Sequence, residues 1–241
     1  MFFMLKHLPN LCTIINLSLG FFSIILASND ELLLAAVLIL FASFFDFLDG
    51  FLAKVLNASS ELGKQLDSLA DLVTFGVSPA FLVYQLLLNL PQIYSPYSNY
   101  IVVLIPIFSA LRLAKFNNDE SQKNNFTGLP TPANALFFTS IVFYLESTSF
   151  SLIDGYNPYG LIISLIILFS FLMTSKVSFF SLKFLNYGLK ENRLRYLFLS
   201  LTCIVIFVTI FMNLMSLTIA FIIFLYLILS LVNNLITKNE I

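Results

Sequence analysis

Eight apolar stretches constrain this chain more than any other feature. In its 241 residues they run over about 11–28, 32–56, 66–88, 99–116, 132–148, 158–175, 194–212 and 215–236. Most reach the roughly 17–25 residues that a helix needs to cross a bilayer, at about 1.5 Å rise per residue. Hydrocarbon offers the backbone no hydrogen-bond partners, so each stretch must satisfy its own amides as a helix. The expectation is an all-α, polytopic membrane bundle of about eight transmembrane helices. Composition agrees, at 59% hydrophobic and 10% charged residues with 28 Phe, far from a soluble domain. The first stretch has the length of a cleaved signal segment, but it carries Asn16 and Ser18 and leads directly into another span, so it is read as retained.

Charge sets the orientation. With the N-terminus inside, all 12 Lys and Arg fall in cytoplasmic segments or helix ends, whereas the segments near 29–31, 89–98, 147–157 and 213–214 hold none. Both termini are therefore expected on the cytoplasmic side of a bacterial-type inner membrane, and the sequons at Asn57 and Asn125 carry no glycan there. A net charge of −1 and the lack of any basic run argue against a nucleic-acid partner. Cys12 and Cys203 sit in apolar stretches without metal-binding spacing and read as packing residues.

Four aspartates interrupt this lipid-soluble sequence. Asp46 and Asp49 are three residues apart and Asp67 and Asp71 four apart, so each pair occupies one face of its own helix. The polar turn from Asn57 to Gln65 folds the two helices into a hairpin, which lets the pairs meet. An ionised carboxylate at membrane depth costs about 2.5–3.5 kcal/mol, so four cost on the order of 10 kcal/mol without compensation. Two divalent cations would offset that charge. Hard oxygen donors point to Mg2+ or Mn2+, with Ca2+ fitting as an occupant, rather than to Zn2+. A divalent metal transporter also uses intramembrane carboxylates, but it places them on several helices at mid-depth. Here both pairs gather at one end, which favours an enzyme.

The spacing resembles a known signature. Asp46, Asp49, Gly50, Ala53, Gly63, Asp67 and Asp71 match the pattern of the CDP-alcohol phosphatidyltransferase family at seven positions over 26 residues. One position differs: the family's usual Arg is replaced by Lys54, which keeps the charge but loses the planar fork. The stretches Leu8–Phe21, Ser59–Ala80, Ser109–Asn117, Phe126–Ala135 and the run from Ser175 are similar to the serine-accepting bacterial branch in particular. The resemblance implies a single integral membrane domain with a six-helix catalytic core over about 8–183, two accessory helices over about 194–236, and assembly as a homodimer. It also implies transfer of a phosphatidyl group from CDP-diacylglycerol to L-serine. Glycerol 3-phosphate or inositol phosphate as acceptor is the main alternative.

Site roles follow from the same resemblance. Asp46, Asp49, Asp67 and Asp71 would hold two metal ions, and Asp71 would also serve as general base. Breaking a diphosphate bond calls for positive charge across both phosphates, and a serine hydroxyl must lose its proton in the transition state. Gly50 and Ala53 each lie about one turn beyond an aspartate and leave room for the nucleotide, with Lys54 and Gly63 assigned to CDP as well. Asn10, Thr13 and Asn16 form a polar stripe on the first span that is expected to line the same pocket. Lys64, Arg112 and Lys115 are candidates for the acceptor carboxylate or the lipid phosphate. Gly128, Pro130 and Pro132 predict a rigid turn before the fifth span, and residues 175–195 predict an amphipathic helix touching membrane lipids.

Overall fold

The computed structural model describes residues 7–91, 95–118, 126–148, 157–180, 188, 189 and 191–238. Eight long helices follow in order among these: α1 (Leu8–Ser28), α2 (Leu32–Val55), α3 (Glu61–Asn89), α4 (Tyr97–Asn118), α5 (Thr131–Ser147), α6 (Tyr159–Thr174), α7 (Arg193–Phe211) and α8 (Thr218–Lys238). The protein is a polytopic helical membrane bundle. Six of the helices are long and apolar enough to cross a bilayer, the exceptions being α5 and α6. With 16 residues α6 is about 24 Å long, somewhat short of a bilayer's hydrocarbon core. The centre of the bundle is α5, packed against α2, α3 and α8, and it buries Asn134, Thr139 and Ser140 among its apolar residues. A helix surrounded by other helices has no lipid-facing side to keep apolar.

Helix starts and turns depart from the hydropathy pattern where side chains cap the backbone. The start of α3 lies at Glu61, five residues before the apolar run at 66, because Ser60 accepts a hydrogen bond from the Gly63 amide at 3.0 Å. Immediately after Asp71, α3 widens into a π-helical segment over Leu72–Val77. Pro79 explains it: lacking an N–H and crowding the carbonyl four residues back, it relaxes the turn that precedes it. In α5, the Ser140 hydroxyl donates to the Ser216 carbonyl at 2.6 Å and accepts from the Ala220 amide at 3.3 Å, anchoring the start of α8.

Two close approaches hold the site end together. A Cβ at Gly20 would lie 2.8 Å from the Thr74 Cα, so α1 and α3 touch backbone to backbone there. At that crossing the Thr74 hydroxyl donates to the Asn16 carbonyl at 3.1 Å. The predicted turn before α5 is present: Gly128 has φ +79°, and its amide donates to the Val177 carbonyl at 2.9 Å. Residues 126–127 pair antiparallel with 178–179, Phe126 opposite Phe179. The amphipathic helix expected from residue 175 is therefore corrected over 175–180, where the chain is extended to make this pairing. Residues 181–187 and 190 of that expectation lie outside the described residues, and 193–195 begin α7.

Candidate active site

At one end of the bundle α2 and α3 bring the acidic pairs together. One carboxylate oxygen from each of Asp46, Asp49 and Asp67 falls within 4.8 Å of the others. Asp71 joins through Asp46, the two carboxyls lying in hydrogen-bond reach of each other. Asp49 and Asp71 are buried, at 6% and 9% exposure, and Asp71 Oδ1 has no hydrogen-bond partner among the described residues. Thr13 on α1 closes the group by donating from Oγ1 to Asp49 Oδ2 at 2.7 Å. So many carboxylates in so little space repel one another unless cations or protons lie between them. The donors are all hard oxygens, and the orphaned Asp71 oxygen leaves coordination capacity unused, so the residues fit divalent cations of the Mg2+ or Mn2+ kind. Cys12 is buried close to Asp49, but its thiol is not part of the carboxylate group.

Two cavities flank the cluster and share its rim. The first, about 490 Å³, lies between α1 and the hairpin and is lined by Asn10, Thr13, Asp49, Gly50, Ala53 and Gly63. The second, about 670 Å³, has Asp71 and Arg112 at its polar end and Phe47, Phe180, Phe198 and Tyr226 along its apolar side. Asp67 and Lys64 line both cavities. Both volumes fall in the range of about 300–1,000 Å³ usual for ligand pockets.

The cations differ in their partners. Arg112 is 7% exposed, donates from Nη1 to Thr131 Oγ1 at 3.3 Å and leaves its Nε without a partner among the described residues. Its guanidinium also lies over the Phe116 ring, 5.9 Å from the centroid. Lys64 donates to the Asn117 carbonyl at 3.3 Å. Lys115 lines a cleft with Lys176, Thr127 and Ser175 and shares a small cavity of about 30 Å³ with Arg112, but it lines neither flanking cavity. Lys54 is exposed and lines neither of the two cavities, so the structure places it apart from the other CDP candidates. Asn16 likewise leaves the expected stripe: it is fully buried at the α1–α3 crossing rather than on the cavity wall.

The match extends beyond the motif: residues 6–180 fit the CDP-alcohol phosphatidyltransferase family as a domain. The chain belongs to that family. It is 35% identical over 196 residues to a CDP-diacylglycerol–serine O-phosphatidyltransferase of Helicobacter pylori, covering 80% of each chain. A Bacillus subtilis protein of the same name is 35% identical over 176 residues, which is 73% of this chain and 90% of that one. An archaetidylserine synthase of Methanothermobacter thermautotrophicus is 39% identical over 141 residues, 57% of this chain and 58% of its own length. Family membership sets aside the metal-transport alternative.

What sequence reasoning missed lies mostly on the far wall of the second cavity. Phe198, Ile222, Ile223 and Tyr226 come from α7 and α8, beyond the family match. Ser68 and Asn117, joined at 2.8 Å, tie α3 to α4 at the mouth. Apolar residues facing a pocket look the same in sequence as those facing lipid. Only the polar Tyr226, Ser230 and Asn234, spaced four apart on an otherwise apolar helix, gave a signal.

Proposed function

We propose that the chain transfers a phosphatidyl group from CDP-diacylglycerol to the hydroxyl of L-serine, giving phosphatidylserine and CMP. The observation that carries the reading is the shared rim. Asp67 and Lys64 border both cavities, so a nucleotide in the first and an acceptor in the second meet over the carboxylates. Gly50, Ala53 and Gly63 supply a small-residue floor for the cytidine diphosphate, and Asn10 and Thr13 face it from α1. Asp71 borders only the second cavity, where it takes the acceptor's proton. The serine oxygen bonds to the lipid-side phosphorus, the bond from that phosphorus to the bridging oxygen breaks, and CMP departs with the electron pair. Asp46, Asp49, Asp67 and Asp71 would hold the two divalent ions, which neutralise the charge that builds on both phosphates.

Among the described residues, Arg112 and Lys64 are the cations bordering the second cavity. Arg112 suits the serine carboxylate and Lys64, on the shared rim, suits a phosphate. The serine-synthase names of the curated relatives favour serine over glycerol 3-phosphate or inositol phosphate as acceptor. The basic helix ends argue for a cytoplasmic site in a bacterial-type inner membrane, with both termini on that side. Lys54, Lys64, Arg112, Lys115, Lys176, Arg193 and Arg195 all stand at or next to the helix ends that carry the site. A catalytic core over 8–183, accessory α7 and α8, and a homodimeric assembly complete the proposal.

Purified protein given CDP-diacylglycerol and a panel of L-serine, glycerol 3-phosphate and inositol phosphate provides the test, read as CMP release. Release should depend on serine. Release that ignores serine, or follows another alcohol, overturns the acceptor assignment.

A further inference from the structure

We infer that α8, which lies beyond the family match, acts as a clamp that positions the acceptor side of the site. Tyr226, Ser230 and Asn234 fall on one face of α8, and all three are turned toward the protein. The Tyr226 hydroxyl donates to the Phe180 carbonyl at 2.9 Å, and Asn234 Nδ2 donates to the Ser178 carbonyl at 2.6 Å. Two side chains of one helix therefore hold the backbone of the short segment 178–180. That segment pairs with Phe126–Thr127, and the chain then runs through Gly128 and Leu129 into the start of α5. There Thr131 accepts the hydrogen bond from Arg112. The line of contacts thus passes from α8 through a strand pair to the cation assigned to the acceptor.

Ring packing fixes the same wall. Tyr226 lies 4.9 Å from Phe180, 5.7 Å from Phe179 and 5.9 Å from Phe198, between centroids. Three of these four rings, Phe180, Phe198 and Tyr226, border the second cavity. None borders the first. Loosening the clamp therefore disturbs the acceptor cavity and leaves the nucleotide cavity as it was. Tyr226 and Asn234 are positioning residues: each donates to a backbone carbonyl.

This inference rests on the assignment of the second cavity to the acceptor, and the experiment separates the two. Tyr226→Phe keeps the ring and removes only the hydroxyl, and Asn234→Ala removes the second bond. Each variant loses one neutral hydrogen bond and should raise the KM for serine about 2- to 10-fold. The KM for CDP-diacylglycerol and the kcat at saturating serine should stay within twofold. An unchanged serine KM in the double variant overturns the clamp, as does a parallel rise in both KM values, which marks a merely structural role. If the wild-type protein uses another alcohol, the acceptor assignment fails, and the same KM comparison with that alcohol still decides the clamp.

Discussion

Thr13 offers the sharpest probe of the carboxylate cluster, because one hydroxyl proton there has two acceptors. Thr13 Oγ1 lies 2.7 Å from Asp49 Oδ2 and 3.1 Å from the Pro9 carbonyl. The carboxylate is nearer and carries the charge, so it accepts the hydrogen bond. Hydrogen bonds to charged groups are worth about 1.5–3 kcal/mol, against about 1 kcal/mol for neutral ones. Thr13→Val keeps the branched shape within a 3%-exposed site and deletes that bond. If the whole bond serves to aim Asp49 at a cation, the divalent-ion concentration for half-maximal activity should rise about 10- to 150-fold, at 1.36 kcal/mol per factor of ten. The assay is CMP release against Mn2+ or Mg2+ concentration, with Thr13→Ser, which retains the hydroxyl, as control. An unchanged metal requirement in Thr13→Val would refute the reasoning. So would a loss of rate that no amount of metal restores and that Thr13→Ser shares, since a hydroxyl would then not be what matters.

Two further substitutions test other parts of the site. Asp71→Asn is isosteric and removes one charge from a crowded buried group, so the protein should remain folded in detergent while turnover falls about 10²- to 10⁴-fold; a rate within threefold of wild type would remove Asp71 as base. Gly20→Ala places a methyl 2.8 Å from the Thr74 Cα and should destabilise the bundle by about 1–3 kcal/mol, read as a lower thermal midpoint; an unchanged midpoint would mean that α1 and α3 do not pack this closely.

The features that could be read from the sequence are those whose cost in lipid is large. Backbone amides force helices, and the eight stretches became eight helices with ends displaced mainly where a polar turn such as Ser60–Gly63 is itself helical. Carboxylates are costly enough that their spacing alone brought Asp46, Asp49 and Asp67 to one point. Features that cost little in lipid left no trace. The π-helical segment after Asp71 needs only a proline in the right place, and the strand pair at 126–127 and 178–179 needs only a few backbone bonds.

Direction is the other hidden quantity. Arg112 and Lys115 have the same charge class and the same helix and share a small cavity, yet only Arg112 also borders the second cavity. Helical phase distinguishes them only when the neighbours are known. The neighbour that fixes it is α5, whose Thr131 takes the Arg112 hydrogen bond, and α5 is held in turn by α8 through Ser140. A short, partly polar central helix therefore orients the acceptor cation and anchors the helix that clamps its far wall. Such a helix gains nothing from being apolar and much from carrying hydroxyls. That is why Asn134, Thr139 and Ser140 are tolerated at its buried positions, with Thr131 and Ser140 bonded to its neighbours.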